Sequence, residues 1–243
     1  MEYDKFQNSW AEPNRAISYS SLEFPNTYHL AYRDLPSIIT THINGNRAVD
    51  FGCGTGRSTR FLKKLGFEVT GIDISQNMIE HAKLKDPDGS YQLVENARYE
   101  HLRNGVYDLV QSIFTFDNIP GWDNRRQILE SLGSLLKSSG KIICLDSSHM
   151  LYSHEWASFT TKDFTENINA ETGDIVRVIM LDVEEKKPVE DIFWTEEDYE
   201  VLFAQAGLKI EAIYKPLGYA NEPFKWVSEK ELAPWIIYIL SKK

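Results

Sequence analysis

The sequence predicts a doubly wound α/β fold built on a mostly parallel sheet. Three observations lead there. Strand-like apolar runs alternate with helix-period segments after residue 45. A turn holding Gly52, Gly54 and Gly56 joins the first run to the first such helix. Asp73 closes the second run, where an open parallel sheet presents its carboxyl edge to ligands. With 243 residues, 42% of them hydrophobic, the chain can bury a core that needs neither disulfide nor metal. Residues 1–243 read as a single domain.

The elements follow in order. Residues 1–44 are rich in Tyr, Phe, Asn and Ser and predict short helices forming a cap over the open end of the sheet. "RAVDF" (47–51) is the first strand. "STRFLKKLG" (58–66) is a helix with Phe61, Leu62 and Leu65 on one face and Gly66 as its stop. "FEVTGID" (67–73) is the second strand, and Ser75 can cap the helix carrying Met78, Ile79 and Ala82. "YQLV" (91–94) and "YDLVQSI" (107–113) are the third and fourth strands. A helix over 123–137 aligns Ile128, Leu129, Leu132, Leu135 and Leu136, and "KIICL" (141–145) follows Gly140 as the fifth strand. Residues 149–194 interrupt the rhythm with "GDIVRVIMLDV" and "PVEDIFWT" around a charged "EEKK", an inserted antiparallel hairpin. The insertion reads equally as extra core cover or as a lid over a substrate. Thr195 and Asp198 form a capping-box pattern, Gly207 ends that helix, and "LKIEAIY" and "PWIIYIL" are the last strands.

Charge and cysteines narrow the partners. The formal charge of −10, with Lys and Arg scattered, opposes binding to nucleic acid or anionic lipid and favours a small-molecule acceptor. No apolar run reaches the ~20 residues of a membrane span, and the N-terminus has no signal-peptide pattern. Two cysteines without a disulfide framework fit a reducing compartment, the cytoplasm. No metal is expected: His149, His154 and Glu155 space as H-x-x-x-x-H-E rather than H-E-x-x-H, with no Cys/His cluster beside them. The sequence sets no oligomeric state.

The glycine turn is the chemical signal. Glycines let backbone N–H groups approach a ligand at a helix start, and an acid at the end of the next strand can accept from both ribose hydroxyls. Arg57 stands where a G-x-G-x-x-G dinucleotide loop has its third glycine, and no G-K-[ST] follows for a P-loop. Asp50, two residues before Gly52, would repel a pyrophosphate. It can order the loop and lie near an ammonium or sulfonium group.

At this point the chain resembles the class I S-adenosylmethionine-dependent methyltransferases. "VDFGCGTG" is similar to their first motif, "GIDISQNMI" to the second, and "ENARYEHLRNGVYDLVQSIFTF" to the third and fourth, over residues 47–146. The resemblance implies a Rossmann-like sheet of seven strands, the last antiparallel, with S-adenosylmethionine as cofactor. It implies that Gly52, Cys53 and Gly54 line the methionine and ribose portions, that Asp73 holds the ribose, and that Ile74 and Met78 flank the adenine. Asn96, where the family often has Asp, would accept from the adenine amino group beside Ala97. The Ser112 carbonyl would meet the methionine ammonium, with Tyr19, Tyr28 or Arg33 reaching the carboxylate.

The expected reaction is methyl transfer to an O or N atom by in-line displacement, releasing S-adenosylhomocysteine. It needs alignment and water exclusion more than a triad. Asp117, in the loop after the fourth strand, and His154, after the fifth, are the candidates to orient or deprotonate the acceptor. The alternatives are cyclisation or cleavage of the same cofactor, or cofactor binding without catalysis.

Overall fold

The computed structural model describes residue 6 and residues 22–95, 98, 99 and 101–243. Strand β1 (Arg47–Phe51) pairs in parallel with β2 (Glu68–Asp73) on one side and β4 (Tyr107–Ile113) on the other. β3 (Ser90–Leu93) extends the sheet beyond β2, and β5 (Leu136–Ser147) extends it beyond β4, both in parallel. β10 (Trp235–Lys242) then inserts antiparallel between β5 and β9 (Leu208–Tyr214). The order across the sheet is β3-β2-β1-β4-β5-β10-β9. This is the seven-stranded, mostly parallel arrangement with an antiparallel last strand. The order reverses between β1 and β4, which opens a crevice at their carboxyl ends.

Strand alternation distributes the core. Ala48, Leu109, Ile143 and Ile237 face one layer, where Leu30, Leu35, Ile38 and Leu62 pack. Those four come from α1 (Thr27–Arg33), α2 (Leu35–His42) and α3 (Arg57–Lys64). Val49, Val110, Ile142 and Tyr238 face the other layer. There α5 (Trp122–Leu135) contributes Leu129 and Leu132, and α6 (Glu196–Gln205) contributes Leu202 and Phe203. Each such buried side chain contributes ~1.5–3 kcal/mol. α4 (Gln76–Lys85) sets Ile79 and Ala82 against Tyr91 and Cys53.

Three boundaries differ from the sequence reading. α2 lies on a face of the sheet rather than over its end, because Leu35, Ile38 and Ile39 make an apolar stripe that joins the core. The helix expected to Lys137 stops at Leu135, and β5 begins at Leu136 rather than at residue 141. Tyr107 pairs with Leu136 there, and a Cβ at Gly140 would lie 2.7 Å from the Tyr107 carbonyl, so only glycine lets the strand pass. The insertion holds the expected hairpin, β7 (Ile175–Met180) with β8 (Pro188–Ile192), plus β6 (Phe159–Thr160) on β7, a separate three-stranded antiparallel sheet.

Glu229 ties three distant segments together. It is fully buried, and its Oε1 accepts from the Thr27 hydroxyl at 2.6 Å and from Ala157 N–H at 2.7 Å, while Oε2 accepts from Val227 N–H at 2.8 Å. The Trp235 indole N–H donates to the Thr27 carbonyl at 2.8 Å. The start of α1, the insertion and the C-terminal loop are thereby held in one place.

Candidate active site

The glycine turn builds one wall of a cavity of about 740 Å³ at the carboxyl ends of β1, β2 and β4. Gly52 has φ +67, and a Cβ there would sit 2.3 Å from Thr115 Oγ1, so the turn leaves no room for a side chain on that side. Gly56, at φ +79, starts α3. Gly52, Cys53 and Gly54 line the cavity, as do Asp73, Ile74 and Met78.

Asp73 sits where strand β2 ends. Its Oδ2 accepts from Gly54 N–H and its Oδ1 from Ser75 N–H, each at 2.8 Å. The acid thus locks the turn to the start of α4 while still lining the cavity. Burial raises its pKa, and the backbone donors oppose the rise. Ile74 is 61% exposed in spite of its size, and Met78, 3% exposed, lines the same cavity. An apolar pair open to a cavity suits a flat ring between them.

Asp50 is placed differently. It is fully buried behind the turn, accepting from Ser58 Oγ at 2.7 Å and Thr59 Oγ1 at 2.6 Å on one oxygen and from Gln111 Nε2 at 3.4 Å on the other. It orders the turn by joining β1 to the first turn of α3, and it does not line the cavity. Burial pushes its carboxyl up to about 6.

The structure separates the remaining expected residues. Ser112 is fully buried in β4; the cavity wall begins one residue later, at Ile113 and Phe114. Arg33 pairs with Asp34 and Glu222 and stacks 4.2 Å from the Tyr219 ring, so its charge is engaged away from the cavity. Tyr28 lines not this cavity but a smaller chamber beside it, with its hydroxyl on Met180 Sδ at 3.3 Å. Asp117 lines that same chamber. His154 lines neither space; its ring lies beside the Ser153 hydroxyl and the Met150 carbonyl and packs edge-on to Trp156. Tyr19, Asn96 and Ala97 lie outside the described residues.

Residues that sequence reasoning missed complete the cavity wall. Arg57 is 5% exposed, with its guanidinium 5.1 Å from the Tyr28 ring and 5.5 Å from the Tyr32 ring. Its Nη1 donates to the Glu23 carbonyl at 2.8 Å. The signal was present in the residue that breaks the dinucleotide spacing; only burial shows that this cation faces a ligand space. Phe114 has φ +57, which costs a bulky residue strain. Its ring is held 4.6 Å from Trp235 and 5.7 Å from Tyr28. Thr115 and Asn118 also line the cavity. Among the described residues, no group of His, Cys, Asp and Glu is arranged to hold a metal, and no helix is long and apolar enough to cross a membrane.

Comparison with known proteins agrees with this geometry. The family model described as a methyltransferase domain matches residues 49–144. A demethylmenaquinone methyltransferase of Bacillus subtilis is 26% identical over 153 residues, covering 60% of this chain and 61% of that protein. The chain thus spans about three fifths of the length of that relative. A ubiquinone biosynthesis O-methyltransferase of Burkholderia multivorans is 24% identical over 183 residues, covering 74% of this chain and 75% of that protein. The crystal structure of an S-adenosylmethionine-dependent methyltransferase from Clostridium acetobutylicum superposes with a TM-score of 0.64 at 16% identity, over 94% of this chain and 98% of that one.

Proposed function

We propose that the chain, whose residues 49–144 match the family model described as a methyltransferase domain, is a class I S-adenosylmethionine-dependent methyltransferase that moves a methyl group from S-adenosylmethionine to an O or N atom of a small-molecule acceptor. The observation that carries this reading is the Asp73 carboxylate, bonded to Gly54 N–H and lining a cavity beside the side-chain-free turn Gly52–Gly54. An acid at a strand end beside a bare backbone turn suits a ribose and its attached chain.

The residues present fit the cofactor. Asp73 would hold the ribose hydroxyls, Ile74 and Met78 would flank the adenine, and Gly52 to Gly54 would lie against the methionine portion. Arg57, the buried cation of the wall, would hold the methionine carboxylate. When bound, the cofactor supplies a methyl group already made electrophilic by positive sulfur. The protein's own task is then to place the acceptor in line and keep water out, worth ~7–11 kcal/mol. Phe114, Thr115 and Asn118, after β4, border the space left for the acceptor. The relatives named for demethylmenaquinone and ubiquinone biosynthesis support a small-molecule acceptor. We place the reaction in the cytoplasm, where thiols such as Cys53 and Cys144 stay free.

Incubation with S-adenosylmethionine and a panel of phenols, carboxylic acids and amines tests this. S-adenosylhomocysteine should form only with an acceptor present. Acceptor-independent breakdown of the cofactor would point to the cyclisation or cleavage chemistry instead.

A further inference from the structure

A chamber of about 40 Å³ adjoins the main cavity. That is room for one small polar head group. Phe114 and Asn118 line both spaces. Tyr28, Phe114, Phe159 and Trp235 form an aromatic side of the chamber, with neighbouring ring centroids 4.6 to 5.9 Å apart. Asp117 and Asp191 also line it. Asp191 comes from β8, so the inserted sheet supplies part of this wall.

The two acids differ in the donors they meet. Asp117 accepts from Ser147 N–H at 3.1 Å and from the Tyr199 hydroxyl at 3.3 Å. Asp191, 7% exposed, accepts from the Tyr152 hydroxyl at 3.3 Å on Oδ2, and its Oδ1 has no hydrogen-bond partner among the described residues. Asn118 Oδ1 is buried and also has none. A third buried carboxyl, Asp146, accepts from Phe116 N–H and the Cys144 thiol. The cation that faces all three carboxyls is Arg125. Its Nε is spent on the Ile119 carbonyl at 2.6 Å, its guanidinium lies 4.0 Å over the Trp194 ring, and neither Nη has a hydrogen-bond partner. Burial raises the pKa of all three carboxyls, and repulsion from Asp117 adds to the rise at Asp146 and Asp191. Aromatic faces beside the Asp191 carboxyl and the Asn118 carbonyl oxygen, where one arginine serves three acids, suit an ammonium group. A neutral hydroxyl would bring one donor and no charge.

We propose that this chamber seats the nitrogen of a small aliphatic amine, the methyl acceptor, and that Asp191 takes its ammonium proton. The proposal rests on the methyl-transfer reading above and narrows its acceptor to nitrogen. The ammonium's charge favours the carboxylate form of Asp191; the N–H proton then passes to that carboxylate, leaving the lone pair on nitrogen. That pair forms the N–CH₃ bond as the C–S bond breaks with its electrons on sulfur. The product is the methylated ammonium, and the proton on Asp191 returns to solvent.

The test is read first as binding. Protein loaded with S-adenosylhomocysteine is titrated calorimetrically with methylammonium chloride against sodium chloride of equal ionic strength, and with methanol. Methylammonium should bind about tenfold or more tighter than methanol. Asp191→Asn should lose that preference while its S-adenosylhomocysteine affinity is unchanged. In turnover, butylamine should be methylated and butan-1-ol should not. Equal binding of methylammonium and methanol, or methylation confined to hydroxyl acceptors, overturns the proposal and leaves methyl transfer standing. Failure of the wild-type protein to bind S-adenosylhomocysteine would instead remove the reading beneath it. Should Asp191→Asn not fold, the wild-type comparison of amine with alcohol decides alone.

Discussion

Asp50, next to last in β1, and Asp73, last in β2, do opposite jobs. Asp50 is enclosed by Ser58, Thr59 and Gln111 and has nothing left for a ligand. Asp73 is held by two backbone N–H groups and still lines the cavity. Replacement of Asp73 by Ala should lower S-adenosylmethionine affinity by about 100-fold, with an unchanged far-ultraviolet circular dichroism spectrum; titration calorimetry showing wild-type affinity would remove the ribose assignment. Gly52→Ala places a methyl where Thr115 stands and strains a left-handed residue. It should therefore lower both the melting temperature and cofactor affinity, and a variant that melts and binds like wild type would show that the turn can yield. The turn, Asp73, Ile74 and Met78 were legible in the sequence because they lie within about one strand and two turns of chain. Arg57 was not, since its meaning comes from the rings of Tyr28 and Tyr32 around it. The chamber was less legible still: Tyr28, Asp117, Asp191 and Trp235 come from four distant segments, and no spacing rule joins them.

Most elements were legible because their signals are local. The Thr195–Asp198 capping box forms as read, with Thr195 Oγ1 accepting from Asp198 N–H at 3.1 Å and Asp198 accepting from Thr195 N–H at 2.9 Å. Thr195→Ala should cost ~1 kcal/mol, measurable by urea unfolding; no loss would mean that packing of Leu202 and Phe203 alone holds α6. The place of α2 on the sheet and the early start of β5 were not legible, because both depend on partners far along the chain. The insertion took its hairpin from alternation, but its short strand β6 has two residues and leaves no period to detect. Strands β7 and β8 place Val176, Val178 and Val189 in the core, and β8 turns Asp191 to the chamber. The insertion is therefore core cover and a wall of the chamber together. Its anchor is Glu229: Glu229→Ala leaves the Thr27 hydroxyl and two N–H groups without their acceptor, which should cost several times ~1 kcal/mol, seen as a lower midpoint in denaturant.

At the scale of the whole molecule, buried acids make stability depend on pH. Burial raises Asp50 to about 6, Asp146 to about 7 and Asp191 to about 8, each above its unfolded value of 3.8. The folded state thus holds protons that the unfolded chain has released, so stability is full below pH ~4 from these groups and falls as pH rises towards 8. Thermal midpoints should decline over that range, and Asp191→Asn should flatten the decline at its alkaline end; a midpoint rising from pH 6 to 8.5 would contradict the sign. Sheet order, the reversal between β1 and β4 and the glycine turn converge on one crevice, and the account's central claim is that S-adenosylmethionine occupies it. A crystal grown with S-adenosylhomocysteine tests that most directly. The account predicts density along Gly52–Gly54 with the ribose on the Asp73 carboxylate, and an empty turn, or the ligand bound elsewhere, would contradict it.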